Sequence, residues 1–192
     1  MNIQKRTRRL IVWAVVVLLL LLIPLVLTLL GSGVDGDGWH WTLSDFVLMG
    51  VVLLSAGFAY ELIARRSEKT VYRVAFGVGL GGAFLLFWVN GAVGIIGNED
   101  NGANLMYGAV FVVGLVGSLL ARFKPRGMAR TLFIAAIVQM LVPVTALLIW
   151  SPQDTSWAPG VLGVFALNSF FAAVFLVSAL LFRQANDSRT VQ

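Results

Sequence analysis

Apolar residues in this chain seldom alternate with polar ones. They come in long runs separated by short polar or charged connections. Six runs stand out, Leu10–Leu30, Phe46–Ala64, Val71–Ile96, Leu105–Ala121, Thr131–Trp150 and Val161–Phe182. A bilayer core about 30 Å thick takes about 20 helical residues to cross, and all but the shorter fourth run meet that length comfortably. Barrel strands would alternate in polarity, and a lipid-embedded backbone without water must satisfy its own hydrogen bonds within helices. The pattern therefore predicts an all-α polytopic membrane protein, a bundle of six transmembrane helices. The connections are too short for another domain, so residues 1–192 read as a single membrane domain.

Charge orients the bundle. All 14 basic residues fall in four places, Lys5 to Arg9, Arg65 to Arg73, Arg122 to Arg130, and Arg183 with Arg189. With six spans these are the N-terminus, the second and fourth connections and the C-terminus, all on one side. The opposite connections hold no Lys or Arg and carry Asp35, Asp37, Asp45, Glu99, Asp100 and Asp154. Basic residues mark the cytoplasmic side, so both termini are expected there. The separation holds only for six spans. Trp39, Trp41, Trp150 and Trp157 then fall at the outer boundary and Trp13, Tyr60 and Tyr72 at the inner one, as amphipathic rings at headgroup depth should.

Composition removes several classes of chemistry. The chain is 59% hydrophobic and 12% charged, against about 25% charged in soluble domains. No cysteine is present, which excludes disulfides, thiolate metal sites, iron–sulfur clusters and cysteine nucleophiles. The single His40 excludes a haem held by two histidines of this chain. The pI near 10.2 reflects topology and attraction to anionic lipid, not nucleic-acid binding. Thr7-Arg8-Arg9 resembles a twin-arginine signal. The apolar run behind it is too long for a typical signal and lacks a small-residue cleavage site, so it reads as a retained helix.

Small and polar residues distinguish the helices. The first run is nearly pure Leu, Val and Ile and is expected to face lipid. The third carries Gly77, Gly79, Gly81, Gly82, Gly91, Gly94 and Gly97, and the fourth Gly108, Gly114 and Gly117. Small residues let helix backbones approach in lipid, so Gly77, Gly81 and Gly114 are expected to pack the third and fourth helices into a tight centre. A shift of 57 residues sets Phe46–Leu80 on Ala103–Ile137, pairing Gly57 with Gly114, Arg65 with Arg122 and Arg73 with Arg130. This suggests a parallel two-helix repeat across helices 2–5. Pro143 should kink the fifth helix or leave the Gln139 carbonyl unbonded. Gln139 and Asn168 are the candidate intramembrane polar residues, and with Asn90 they define a possible polar thread.

Candidate chemistry is sparse. Glu61 precedes Arg65 by four residues, the spacing of an interfacial helical ion pair. Asp35-Gly-Asp37-Gly begins like a calcium loop but has Trp39 at the next ligand position. The densest polar segment runs from Gly94 to Tyr107, with Asn98, Glu99, Asp100, Asn101 and Asn104. Asn90 lies below it, and Asp45 stands at the same expected height in a Thr42-x-x-Asp45 capping box. The segment reads two ways. Asn101 can cap the next helix, making it a turn and a cap; or its carboxylate and amide oxygens can form an outer-face site for a hard cation or polar solute. No catalytic signature or cofactor ligand set emerges.

The stretch WVNGAVGIIGNEDNGANLMY, followed by ARFKPRGMAR, resembles a set of uncharacterised bacterial integral membrane proteins. These carry a GIIG-x-EDN-x-ANLMY segment and a basic R-x-R-P-R-G-M-A-R loop. The resemblance covers roughly Asp45–Trp150. Proline often takes the place of Gly102 in that set, which implies a looser turn here. It implies a bacterial inner (cytoplasmic) membrane location and supplies no functional residue.

Two functions fit these features. One is a non-catalytic subunit or scaffold packing against lipids, other membrane proteins or further copies of itself, with neither nucleic acid nor a soluble partner implied. The other is a small transporter or channel for a cation or polar solute, with its entrance at the outer face.

Overall fold

A computed structural model describes residues 3–30, 41–64, 67–152 and 156–187. Asp35, Asp37, Trp39, His40, Arg65 and Asp154 lie outside the described residues. Six α-helices follow in order, α1 (Ile3–Leu30), α2 (Leu43–Ile63), α3 (Thr70–Ala92), α4 (Gly108–Leu120), α5 (Pro125–Ile149) and α6 (Val161–Asp187). A 3-10 helix, Gly102–Tyr107, leads into α4, and no strand occurs among the described residues. Six segments are long and apolar enough to cross a membrane, with the 3-10 turn and α4 together forming the fourth. This is the architecture of a multi-pass membrane protein. The chain divides into two compact units, Met1–Glu61 and Leu62–Gln192.

In the first unit α1 packs on α2 through the glycines of α2. A Cβ on Gly57 would stand 2.9 Å from the Trp13 ring, and one on Gly50 would stand 3.6 Å from Leu21. The Trp13 indole N–H donates to Glu61 Oε1 at 3.2 Å, so this tryptophan does more than mark headgroup depth. Much of α1 remains exposed apolar surface, including Leu18, Ile23 and Leu29. Helix α2 begins three residues before its expected start because Thr42 and Asp45 close it. Asp45 Oδ2 accepts from the Thr42 backbone N–H and hydroxyl, each at 2.7 Å.

In the second unit α6 is central. It packs along both α3 and α5, and α5 in turn packs on α4. The expectation of a centre built by the third and fourth helices is corrected. Those helices are not packed closely on each other, though Phe87 and Phe111 meet edge to face. The glycines follow this arrangement. A Cβ on Gly79 would stand 2.8 Å from Ser178 Oγ, and one on Gly82 would stand 2.7 Å from Val174, both on α6. Through this close approach the Ser178 hydroxyl reaches the Ala75 carbonyl of α3 at 2.6 Å. Gly117 admits Thr131 of α5. By contrast, a Cβ on Gly81 or Gly114 meets nothing within 4 Å, and Gly77 is half-buried. Gly81 and Gly114 therefore do not bring the helices of the second unit together. Neighbouring positions on a helix point about 100° apart, so Gly82 faces α6 while Gly81 does not.

Helix ends also move for local reasons. Pro125 occupies the first turn of α5, where its missing N–H and fixed φ are suited to a start, so the helix opens six residues before the apolar run. Before it, Arg122 and Phe123 take left-handed φ values of 49° and 56°. The Tyr72 hydroxyl holds this turn by donating to the Phe123 carbonyl at 2.7 Å. Helix α3 stops at Ala92, short of Ile96, because Gly94 and Gly97 adopt φ of +70° and +77°. Side chains rarely tolerate that region, and it turns the backbone out of the helix.

Candidate functional site

The outer polar segment is built around Asn104. Its Oδ1 accepts from the backbone N–H of Ile95 at 3.1 Å and of Ile96 at 3.0 Å. Its Nδ2 donates to the carbonyls of Ile96 at 3.2 Å and Asn98 at 2.6 Å. A primary amide has four hydrogen-bonding positions, and Asn104 fills all four while buried. One side chain thus supplies partners to the backbone that Gly94 has freed from α3. Asn101 caps the 3-10 helix, its Oδ1 accepting from Ala103 N–H at 3.0 Å, and its Nδ2 donates to the Ser156 carbonyl at 3.3 Å. Gly97 N–H donates to the Ala158 carbonyl at 3.1 Å, so the loop is also tied to the α5–α6 connection. There Trp157 is buried and its indole N–H donates to the Trp150 carbonyl at 3.1 Å.

The charged residues lie apart from this knot. Asn98, Glu99 and Asp100 are exposed at the tip of the loop. Asp45 closes its own helix in the other unit. No group of three His, Cys, Asp or Glu side chains arranged to hold a metal ion occurs among the described residues.

Deeper in the second unit a second polar set draws on four elements. Gln139 Nε2 on α5 donates to Asn168 Oδ1 on α6 at 2.8 Å. Asn168 Nδ2 donates to the Val164 carbonyl at 2.8 Å and to the Tyr107 hydroxyl at 2.9 Å. Gln139 and Asn168 both have 0% exposure. Asn90 on α3 donates through Nδ2 to the Asn104 carbonyl at 3.3 Å. Two atoms in this set receive no donor from the described residues, Gln139 Oε1 and Asn90 Oδ1, both buried. Sequence reasoning singled out Asn90, Gln139 and Asn168 but missed Tyr107, which it placed only as part of a loop motif. Its spacing of three from Asn104 puts both on the inward face of a 3-10 turn, where i and i+3 eclipse.

On the face bearing the basic residues, the α2–α3 and α4–α5 connections border an open cleft of about 490 Å³. Lys69, Arg122 and Lys124 line it together with Glu68 and Tyr72. Lys69 Nζ also donates to the Ala185 carbonyl of α6 at 2.9 Å.

No family model matches the chain, and neither the curated proteins nor the solved structures contain a match.

Proposed function

We propose that the chain is a non-catalytic subunit or scaffold of the bacterial inner membrane, working by packing laterally against other membrane components. The observation that carries this reading is the pair of open glycines, Gly81 on α3 and Gly114 on α4, where a Cβ would meet nothing within 4 Å. Glycine in a helix interior costs about 1 kcal/mol relative to alanine, and in lipid its use is to let another helix approach. Lipid is the second component. The cleft bordered by Lys69, Arg122 and Lys124 has the charge expected of a face meeting anionic headgroups. Co-purification from native membranes tests the reading. A stoichiometric membrane partner, or a defined self-oligomer without solute flux, is expected. A self-contained oligomer that passes solute would replace it.

In this reading both termini are cytoplasmic, and helices 2–5 are two parallel copies of one hairpin. Reporter fusions after Asp187 and within Arg122–Arg130 should report cytoplasm and one near Asp154 the outside. A periplasmic C-terminus would overturn the orientation.

A second reading, a small transporter or channel for a cation or polar solute, draws on one observation. Gln139 Oε1 and Asn90 Oδ1 are buried acceptors that no group among the described residues serves. Solute flux in reconstituted vesicles, lost in Gln139→Met, would favour it.

A further inference from the structure

Asn168 fixes the sense of the buried amide chain. Its Nδ2 donates to the Val164 carbonyl at 2.8 Å, and a carbonyl can only accept. Asn168 Oδ1 is therefore the atom turned toward α5, where it accepts from Gln139 Nε2. Rotating the Gln139 amide would set oxygen against oxygen. The unserved position of Gln139 Oε1 is thus a consequence of the fold and not of how the amide was assigned. The other end of the chain carries the complementary deficit. Tyr107 accepts from Asn168 Nδ2 at 2.9 Å, so its own proton is left to donate elsewhere. Tyr107, Gln139 and Asn168 are all fully buried. Pro143 adds a further acceptor at the same residue, because it has no N–H to offer the Gln139 backbone carbonyl four residues earlier.

A buried amide oxygen without a donor is costly in an apolar interior, most of all in lipid. The set therefore calls for a partner of matching chemistry. Beside the Asn168 amide stand an acceptor needing a proton and a hydroxyl holding a spare one. A cation would be repelled by the Tyr107 proton and the amide N–H groups, and an anion would find Gln139 Oε1 opposed to it. A neutral hydroxyl group, which both donates and accepts, suits both ends. We propose that Gln139 Oε1 and the Tyr107 hydroxyl form a buried binding site for a small neutral hydroxyl-bearing molecule, either water or the hydroxyl of a polar solute. The site does not rest on the subunit reading, since a retained water and a passing solute satisfy the same atoms.

The test uses the full chain in nanodiscs with ¹⁵N-labelled Gln and Asn side-chain amides. Magnetisation transfer from water to the Gln139 amide is read with and without added glycerol. The site predicts transfer from a long-lived hydroxyl proton to the Gln139 amide, weakened at least several-fold by Tyr107→Phe with the Asn168 resonance retained. Displacement by millimolar glycerol would assign the site to a solute hydroxyl, and insensitivity to it would assign the site to water. Should Tyr107→Phe not fold, a high-resolution structure of the unaltered chain decides instead, by density within hydrogen-bond distance of Gln139 Oε1. A dry Gln139 oxygen, or transfer unchanged in folded Tyr107→Phe, would overturn the proposal. Either failure leaves the lateral packing reading standing, since that rests on Gly81 and Gly114.

Discussion

Gly79 and Gly82 on α3 and Gly117 on α4 have side-chain atoms of α6 or α5 where their own Cβ would be, whereas Gly81 and Gly114 on the same two helices have open space. The difference is one of direction. α3 presents Gly79 and Gly82 to the α6 seam, where Ser178 bonds the Ala75 carbonyl, and turns Gly81 away from it. A glycine-rich helix therefore does two jobs. One face builds the core of the second unit, and the other has no contact among the described residues of that unit to account for it. In lipid, where close packing replaces the hydrophobic drive between helices, that second face is the one we propose for a partner.

The largest effect is expected on the closed face. Gly82→Leu must displace Val174 and Phe175, and Gly117→Leu must displace Thr131. Overpacking of this kind costs about 1–3 kcal/mol or more, read as a fall in thermal stability in detergent. Unchanged melting in both would dissolve the distinction between the faces. Next comes Asn104→Ala, which removes four hydrogen bonds and strands the N–H groups of Ile95 and Ile96. Each buried group left unsatisfied costs about 1–3 kcal/mol, but water entering beside the exposed loop tip serves part of them, so the loss should approach that of the glycine variants. Hydrogen exchange should localise the damage to residues 93–104. A near-silent Asn104→Ala would mean that the loop is held by something else. The smallest shift belongs to Glu99→Gln combined with Asp100→Asn. Both side chains are exposed, so the change should stay within about 0.5 kcal/mol. A cation-dependent stabilisation of the unaltered chain that disappears in this double variant would restore the outer loop as an ion site.

The number of helices and their approximate limits were legible because hydrophobic length is a property of the sequence alone. Ends set by charge or by proline were placed less well. The apolar run Val161–Phe182 ends before Arg183, yet α6 runs on to Asp187, since a basic side chain past the membrane boundary does not disfavour helix. Which glycines pack is not readable from the sequence, because that depends on which helices are neighbours; shared glycine content suggests α3 with α4, whereas α3 packs on α6 and α4 on α5. In the polar loop, Asn101 as a cap followed from spacing. The role of Asn104 did not, because it depends on the left-handed turns at Gly94 and Gly97 bringing Ile95 and Ile96 back over it. Gln139 and Asn168, 29 residues apart, were recognisable as polar residues in apolar runs but not as partners of each other.

The central claim, that the open glycine face seats another membrane component, is tested most directly by Gly81→Leu combined with Gly114→Leu in the full chain purified from native membranes. Both thermal stability and the associated partner or self-oligomer are measured. Because a Cβ at either position meets nothing within 4 Å, the chain should melt within about 1 kcal/mol of its unaltered stability, while the association is lost. A double variant that keeps its full association would contradict the account, as would one that unfolds as readily as Gly82→Leu.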